Sequence, residues 1–373
     1  MTIAKRRRID VHAHFTSPKL IEVVGRQELG NFANWTPEMA LERMDEFGIE
    51  TGMISVPPHY DPATVDIVAR PTNEHGARVV QDHRGRFGLM AFLPLPHIDT
   101  TLKEIEYVFD TLKADGISLM TSYNGKYLGD PTHFPILEEL NRRKAVVFFH
   151  PCTPGCCEGL ITNISDSAIE FLFDTVRAVT SLLYSGTFSR CPDIRFIFCH
   201  NGSAVPLLKD RICSQWGRNE LFKKLVPNGP EYELQRLFYE CAGSSFRESF
   251  APLMELVTVR QMLFGSDYPW GRLSIQQTID GLLVKYDEQQ EKQLAAVVKI
   301  YEAMKPKDAA VIIVMRHFAT PFAYTDAIWS KYGAQMAEAI EFSDPKTKQR
   351  PRTNLYTSAD FGLSLPNFGH TIS

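Results

Sequence analysis

His12 and His14 stand one residue apart at the end of the apolar run "RIDVHAH". Residues i and i+2 of an extended strand point to the same face, so these two imidazoles can reach one bound group. Three more ionisable residues close runs of the same kind: His150 ends "AVVFFH", His200 ends "IRFIFCH" and Asp267 ends "QMLFGSD". Neutral imidazoles with a carboxylate form a ligand set for one divalent metal ion, zinc in the first place, with manganese also tolerated. Each residue taken singly has a structural explanation: an HxH can be hydrogen-bonded surface, His150 can cap a strand before Pro151, and Asp267 can cap a following helix. The coincidence of five such groups at the ends of four runs favours a mononuclear centre with an open position. The remaining histidines, His59, His75, His83, His97, His133, His317 and His370, fall in loops, helices or the tail and are read as structural.

Those five groups need a scaffold that gathers strand ends. Eight short β-rich runs recur along the chain, the other four being "IETGMISV", "GLMAFLPL", "GISLMTSY" and "LFYECAG". Near-continuous apolar runs of this kind fit parallel strands covered on both faces. Amphipathic segments separate them, among them "TPEMALERMDEFG" with Thr36 as N-cap and Pro37 at the first helical position, "TTLKEIEYVFDTLKADG", "FPILEELNRRK", "SAIEFLFDTVRAVTSLLYSG" and "SFAPLMELV". "TNEHGA" is read as part of a covering helix, with Asn73 and Glu74 structural. Alternating strand and helix repeated eight times predicts a (β/α)8 TIM barrel, which typically takes about 250 residues and does its chemistry at the carboxyl ends of its strands. The barrel is placed in residues 1–296. Residues 297–373, helical and then polar and turn-rich, are read as a C-terminal extension.

Composition narrows the class of function. Of the 373 residues, 44% are apolar and 23% charged, with a formal net charge of −4, which marks neither a nucleic-acid binder nor an anionic-membrane binder. The seven cysteines form an odd set without paired CxxC spacing, so reduced thiols in a cytoplasmic compartment are expected. No apolar run approaches the length of a membrane span. A small-molecule enzyme is the class that remains.

Over residues 9 to about 290, the chain resembles the amidohydrolase superfamily. Within it, the similarity is to the branch typified by aminocarboxymuconate-semialdehyde decarboxylase, and 6-methylsalicylate decarboxylase is a relative it suggests. The blocks that carry the resemblance include "IDVHAHFTSPKL", "NWTPEMALERMDEFGIETGMISVPP", "AVVFFHP", "IRFIFCHNGSAVPLLKDR" and "MLFGSDYPW". The resemblance implies that His12, His14, His150 and Asp267 hold one divalent ion, zinc or manganese, and that His200 is an acid/base histidine beside it. It also implies that Arg211 binds a substrate carboxylate across the interface of a homodimer. The chain departs from the family pattern at two positions. Ala40 stands where the muconate enzyme has a second carboxylate-binding arginine, which makes a dicarboxylate a poor fit. Glu240 replaces an acidic residue that is commonly Asp in relatives.

The activity implied is metal-dependent, non-oxidative decarboxylation of a small aromatic acid of the ortho-hydroxybenzoate type, with Asp267 delivering a proton to the ring and His200 supporting it. The same residues also suit hydrolysis of a lactone or amide. A non-catalytic barrel acting through its C-terminal extension is a third reading, and the complete set of metal positions argues against it. Phe15, Tyr268 and Trp270 adjoin the ligand positions, and Phe15 and Trp270 are taken as candidate substrate-contacting aromatics. Cys156 and Cys157 fall near the mouth with no feature that activates either.

Overall fold

The computed structural model describes residues 8–57, 61–244 and 246–270. The expected extension over 297–373 lies outside these residues, as do residues 271–296 and His59, His317 and His370. The scaffold is an eight-stranded sheet formed by β1 (Arg8–His14), β2 (Ile49–Ser55), β3 (Phe87–Phe92), β4 (Gly116–Met120), β5 (Val146–His150), β6 (Arg195–Phe198), β7 (Phe238–Glu240) and β8 (Met262–Leu263). Each strand pairs in parallel with the next along the chain. The two ends of the sheet also meet: Val11 N–H donates to the Phe264 carbonyl at 3.0 Å, and His14 N–H donates to the Tyr268 carbonyl at 2.8 Å. The sheet therefore curls into the (β/α)8 barrel expected from the sequence, its first and last strands joined by these backbone bonds.

The principal helices are α1 (Pro18–Val24), α2 (Pro37–Glu46), α3 (Val65–Asp82), α4 (Ile98–Asp110), α5 (Phe134–Arg142), α6 (Glu170–Tyr184), α7 (Val205–Cys213) and α8 (Arg247–Leu256). Their starts are chemically marked. Thr36 Oγ accepts from Met39 N–H at 3.3 Å with Pro37 in the first turn, and Ser17 Oγ accepts from Leu20 N–H at 3.0 Å. Asn73 on α3 exchanges two hydrogen bonds of 2.8 Å with the backbone of Phe92 and reaches Glu104 on α4 at 2.9 Å. It welds the end of β3 to two helices, in keeping with its structural reading.

The period-two alternation of a strand divides the core into two layers, and β5 shows this directly. Val147 and Phe149 face the helices, where Phe149 stacks on Phe198 with centroids 4.8 Å apart. Phe148 points into the barrel with Met90, Ile197 and Cys199. Its ring lies 4.9 Å from that of His12, so the apolar plug of the barrel is also the floor beneath the histidines.

Three expected strand ends are shorter than the apolar runs suggest. β6 stops at Phe198, β7 at Glu240 and β8 at Leu263, before the ends of "IRFIFCH", "LFYECAG" and "QMLFGSD". Beyond those points the backbone leaves the ladder, so His200 and Asp267 are carried on the turns that follow.

Phe148→Ala should destabilise the protein by about 3–5 kcal/mol, the same range as Phe149→Ala, because both rings are fully buried although they face opposite layers. Equilibrium urea unfolding of the two variants measures this. A near-zero cost for Phe148→Ala would show that the interior layer does not support the fold.

Candidate metal centre

The structure brings His12, His14, His150 and Asp267 together. One ligand atom from each lies within 4.8 Å of all the others. His12 and His14 come from alternate positions of β1, and their Nε2 atoms are 2.9 Å apart. Asp267 Oδ1 is 3.3 Å from each of those nitrogens, while Oδ2 turns toward His200 Nε2 at 3.9 Å. All three ligand imidazoles are buried, whereas the Asp267 side chain is partly open to solvent.

The ring orientations follow from hydrogen-bond accounting. A carbonyl or carboxylate only accepts, so a ring nitrogen facing one must carry the proton. His12 Nδ1 donates to Glu240 Oε1 at 2.8 Å, and His150 Nδ1 donates to the Pro151 carbonyl at 2.7 Å. Ser55 Oγ spends its hydrogen on the Ala13 carbonyl at 3.3 Å and is left to accept from His14 Nδ1 at 3.2 Å. Each imidazole thereby turns an unprotonated Nε2 toward the others. Three lone pairs and a carboxylate converging on one small volume are what a divalent cation requires, so the residues present fit such an ion.

The electrostatics agree. Burial pushes the imidazoles of His150 and His14 below their ordinary range and keeps them neutral. Burial opposes ionisation of Asp267, but the imidazoles of His12, His14 and His200 hold its carboxyl well below the usual carboxylate range. Burial also opposes charging of His12, but the carboxylates of Glu240 and Asp267 outweigh it and raise that imidazole above its ordinary range.

Three residues support the centre, and of these the sequence marks only Glu240, without assigning it a role. Glu240 is wholly buried; its Oε1 accepts from His12 and from the His200 backbone N–H at 2.9 Å, and its Oε2 accepts from Ala242 N–H at 2.7 Å. Asp10 accepts from the backbone of His12 at 3.1 Å and of Ser266 at 3.0 Å, and from Ser266 Oγ at 2.5 Å. Burial pushes its carboxyl up to about 6 despite those donors. Ser55 ends β2. All three carry the signal used for the histidines, a polar residue on the inward face near a strand end, but only a known register says which partner it meets.

His200 begins a run of left-handed backbone, with φ of 56° at His200, 59° at Asn201, 68° at Gly202 and 58° at Ser203. Asp267 has φ of 55°. For residues other than glycine this conformation costs roughly 1–2 kcal/mol each. That cost is sustained at the two residues whose side chains face each other across the centre.

The remaining candidates separate. Trp270 lies at the mouth, exposed, with its ring 5.3 Å from that of His14 and 4.5 Å from Phe32. Phe15 does not form the pocket wall expected of it. As the residue after an inward-facing His14 it turns outward, is wholly buried, and packs on His75 of α3 and on Trp35, with centroids 6.4 and 6.0 Å away. Arg211 is exposed on α7, and Ala40 is buried on α2. Tyr268 bridges Ala13 in the barrel closure.

Residues 9–301 match the family model described as Amidohydrolase. The chain is 33% identical over 297 residues to the decarboxylase yanB of Aspergillus niger, covering 72% of this chain and 78% of that protein. It is 31% identical over 277 residues to the 6-methylsalicylic acid decarboxylase of Penicillium expansum, covering 70% and 85%. Among solved structures, a dihydroxybenzoic acid decarboxylase from Polaromonas sp. JS666, with bound manganese and 2-nitroresorcinol, has a TM-score of 0.63 at 19% identity, covering 74% and 90%. That last likeness is one of fold.

Glu240→Gln should weaken binding of an added divalent cation by roughly 10–100-fold, because the neutral amide no longer fixes His12 as a Nδ1–H donor to a carboxylate. Gly265→Ala should do the same from outside the ligand set, since a methyl group there would overlap Glu240 Oε2 and lie 2.9 Å from His12 Cβ. Competition with a chromogenic chelator measures both variants. Wild-type affinity in either would show that the Glu240 contact does not govern His12.

Proposed function

The chain belongs to the amidohydrolase family, and from that premise we propose that it is a metal-dependent, non-oxidative carboxy-lyase acting on a small aromatic acid with an ortho-hydroxyl, of the 6-methylsalicylate type. The observation that carries the reading is the placement of Asp267, with one carboxylate oxygen 3.3 Å from the His12 and His14 nitrogens and the other 3.9 Å from His200. One residue therefore reaches both the ion and an acid/base partner. The decarboxylase names of the relatives favour this chemistry over hydrolysis of a lactone or amide.

His12, His14, His150 and Asp267 are assigned as the ligands, with zinc first and manganese as the alternative. When bound, the ion supplies Lewis acidity and orientation for the phenolate and carboxylate oxygens of the substrate. Loss of carbon dioxide from an arene requires a proton at the carboxyl-bearing ring carbon before the carbon–carbon bond breaks, or the leaving electrons have no acceptor. Asp267, held ionised, is assigned to take a proton from His200 and deliver it to that carbon, and His200 to supply that proton, recover one from solvent and position the ring. Carbon dioxide then departs with the ring proton retained, and aromaticity is restored. Trp270 is assigned to the open side of the pocket, where an aromatic face suits an aromatic substrate.

Arg211 is assigned to substrate carboxylate binding from a second copy of the chain, making the enzyme a homodimer. Its exposure on α7 leaves its guanidinium available to a partner. Ala40 removes the second cation that a dicarboxylate would need. Among the described residues no helix is long and apolar enough to cross a membrane, and all seven cysteines are free thiols. A cytoplasmic setting accommodates both.

The test is a panel of ortho-hydroxybenzoates and simple lactones assayed with zinc-loaded and manganese-loaded protein, with carbon dioxide as the readout. Carbon dioxide release from a hydroxybenzoate is expected, falling by about 10²–10⁴-fold in kcat in Asp267→Asn. Turnover of a lactone without carbon dioxide would replace decarboxylation by hydrolysis. Arg211→Ala should raise KM while the protein keeps one equivalent of metal, and sedimentation should give a dimer. An unchanged KM would remove Arg211 from the substrate site.

A further inference from the structure

We propose that Asp174 is a positioning residue for His150, acting through the single peptide unit that joins Pro151 to Cys152. The proposal rests on the metal-centre reading above. His150 Nδ1–H donates to the Pro151 carbonyl at 2.7 Å, and the N–H of that same peptide unit, on Cys152, donates to Asp174 Oδ2 at 3.3 Å. The peptide is planar, so fixing its N–H fixes the direction of its carbonyl. Proline cannot adjust by rotating φ, which its ring locks, and the plane's orientation therefore depends on what holds the Cys152 end. A carboxylate pulling on the N–H also polarises the unit and strengthens the carbonyl as an acceptor. His12 has a carboxylate directly on its Nδ1, in Glu240. His150 has one at the remove of a single amide.

Asp174 is built for a fixed role. It lies on α6, outside the barrel wall, and is wholly buried. A charge so placed must have its lone pairs satisfied. Oδ1 accepts from Tyr127 OH at 2.7 Å; Oδ2 accepts from Thr121 Oγ and from Cys152 Sγ at 3.7 Å, besides the Cys152 N–H. Thr121 directly follows β4 and Cys152 follows β5 by two residues. The carboxylate thus anchors the segment that sets the His150 ring.

Asp174→Asn puts a donor or a weakened acceptor where the Cys152 N–H needs a carboxylate. The zinc dissociation constant, measured by chelator competition, is expected to rise by roughly tenfold or more, and the visible spectrum of the cobalt-loaded protein to shift. Tyr127→Phe, which removes a donor from the other oxygen of the same carboxylate, should leave both within about twofold. An unchanged affinity and spectrum in Asp174→Asn, or equal losses in both variants, overturns the proposal.

If Asp174→Asn does not fold, the unsubstituted protein decides the matter. With 15N-labelled cysteine, zinc loading of the metal-free protein should move the Cys152 amide resonance and leave those of Cys191 and Cys213 in place. A stationary Cys152 amide overturns the proposal while the metal centre stands. Failure of the unsubstituted protein to take up one equivalent of zinc or manganese overturns both.

Discussion

The closure of the barrel between its first strand and the segment after its last is the interaction on which the rest depends. Asp267 N–H donates to the His12 carbonyl at 2.8 Å, and His14 N–H donates to the Tyr268 carbonyl at the same distance. Residues more than 250 positions apart in the chain are laid side by side by backbone bonds alone. Asp10 reinforces the seam by accepting from Ser266 on one side and from the His12 backbone on the other. The bonds that close the sheet are also the bonds that place a carboxylate against two imidazoles.

Within that frame the histidines are oriented by what lies behind them. Each ring has its Nδ1 occupied by an oxygen: a carboxylate for His12, a peptide carbonyl for His150 and a hydroxyl for His14. Had any Nδ1 been left free, the proton could have moved to Nε2 and the lone pair would have turned away from the centre. The convergence of three Nε2 atoms is therefore a property of three outward hydrogen bonds. Burial adds to it by keeping the His14 and His150 rings neutral. The floor under them is apolar because the same period-two alternation that points His150 inward points Phe148 inward below it.

A strained backbone completes the arrangement. His200 and Asp267 both sit where the chain has left its strand and entered left-handed conformation, a geometry that a regular strand end could not supply. The departure lets two side chains from different strands face one another across the mouth. Gly202 permits part of it, since a Cβ there would lie 2.6 Å from the Tyr239 ring.

Much of this was legible in the sequence. Eight apolar runs alternating with amphipathic segments specify a parallel barrel because burial on both faces removes polar residues from a strand, and a polar residue at its carboxyl end then stands out. His12, His14, His150, His200 and Asp267 were readable for that reason. Other features were not. Phe15 reads as a pocket residue by adjacency, yet the strand alternates and turns it outward onto His75. Glu240, Asp10 and Ser55 end or line strands just as visibly, but the atoms they serve belong to other strands, and only register and closure decide those pairings. Residue type and spacing by themselves determined which side chains could bind an ion. The tertiary structure alone decided which nitrogen each histidine presents, because that depends on partners brought together across the barrel rather than along the chain.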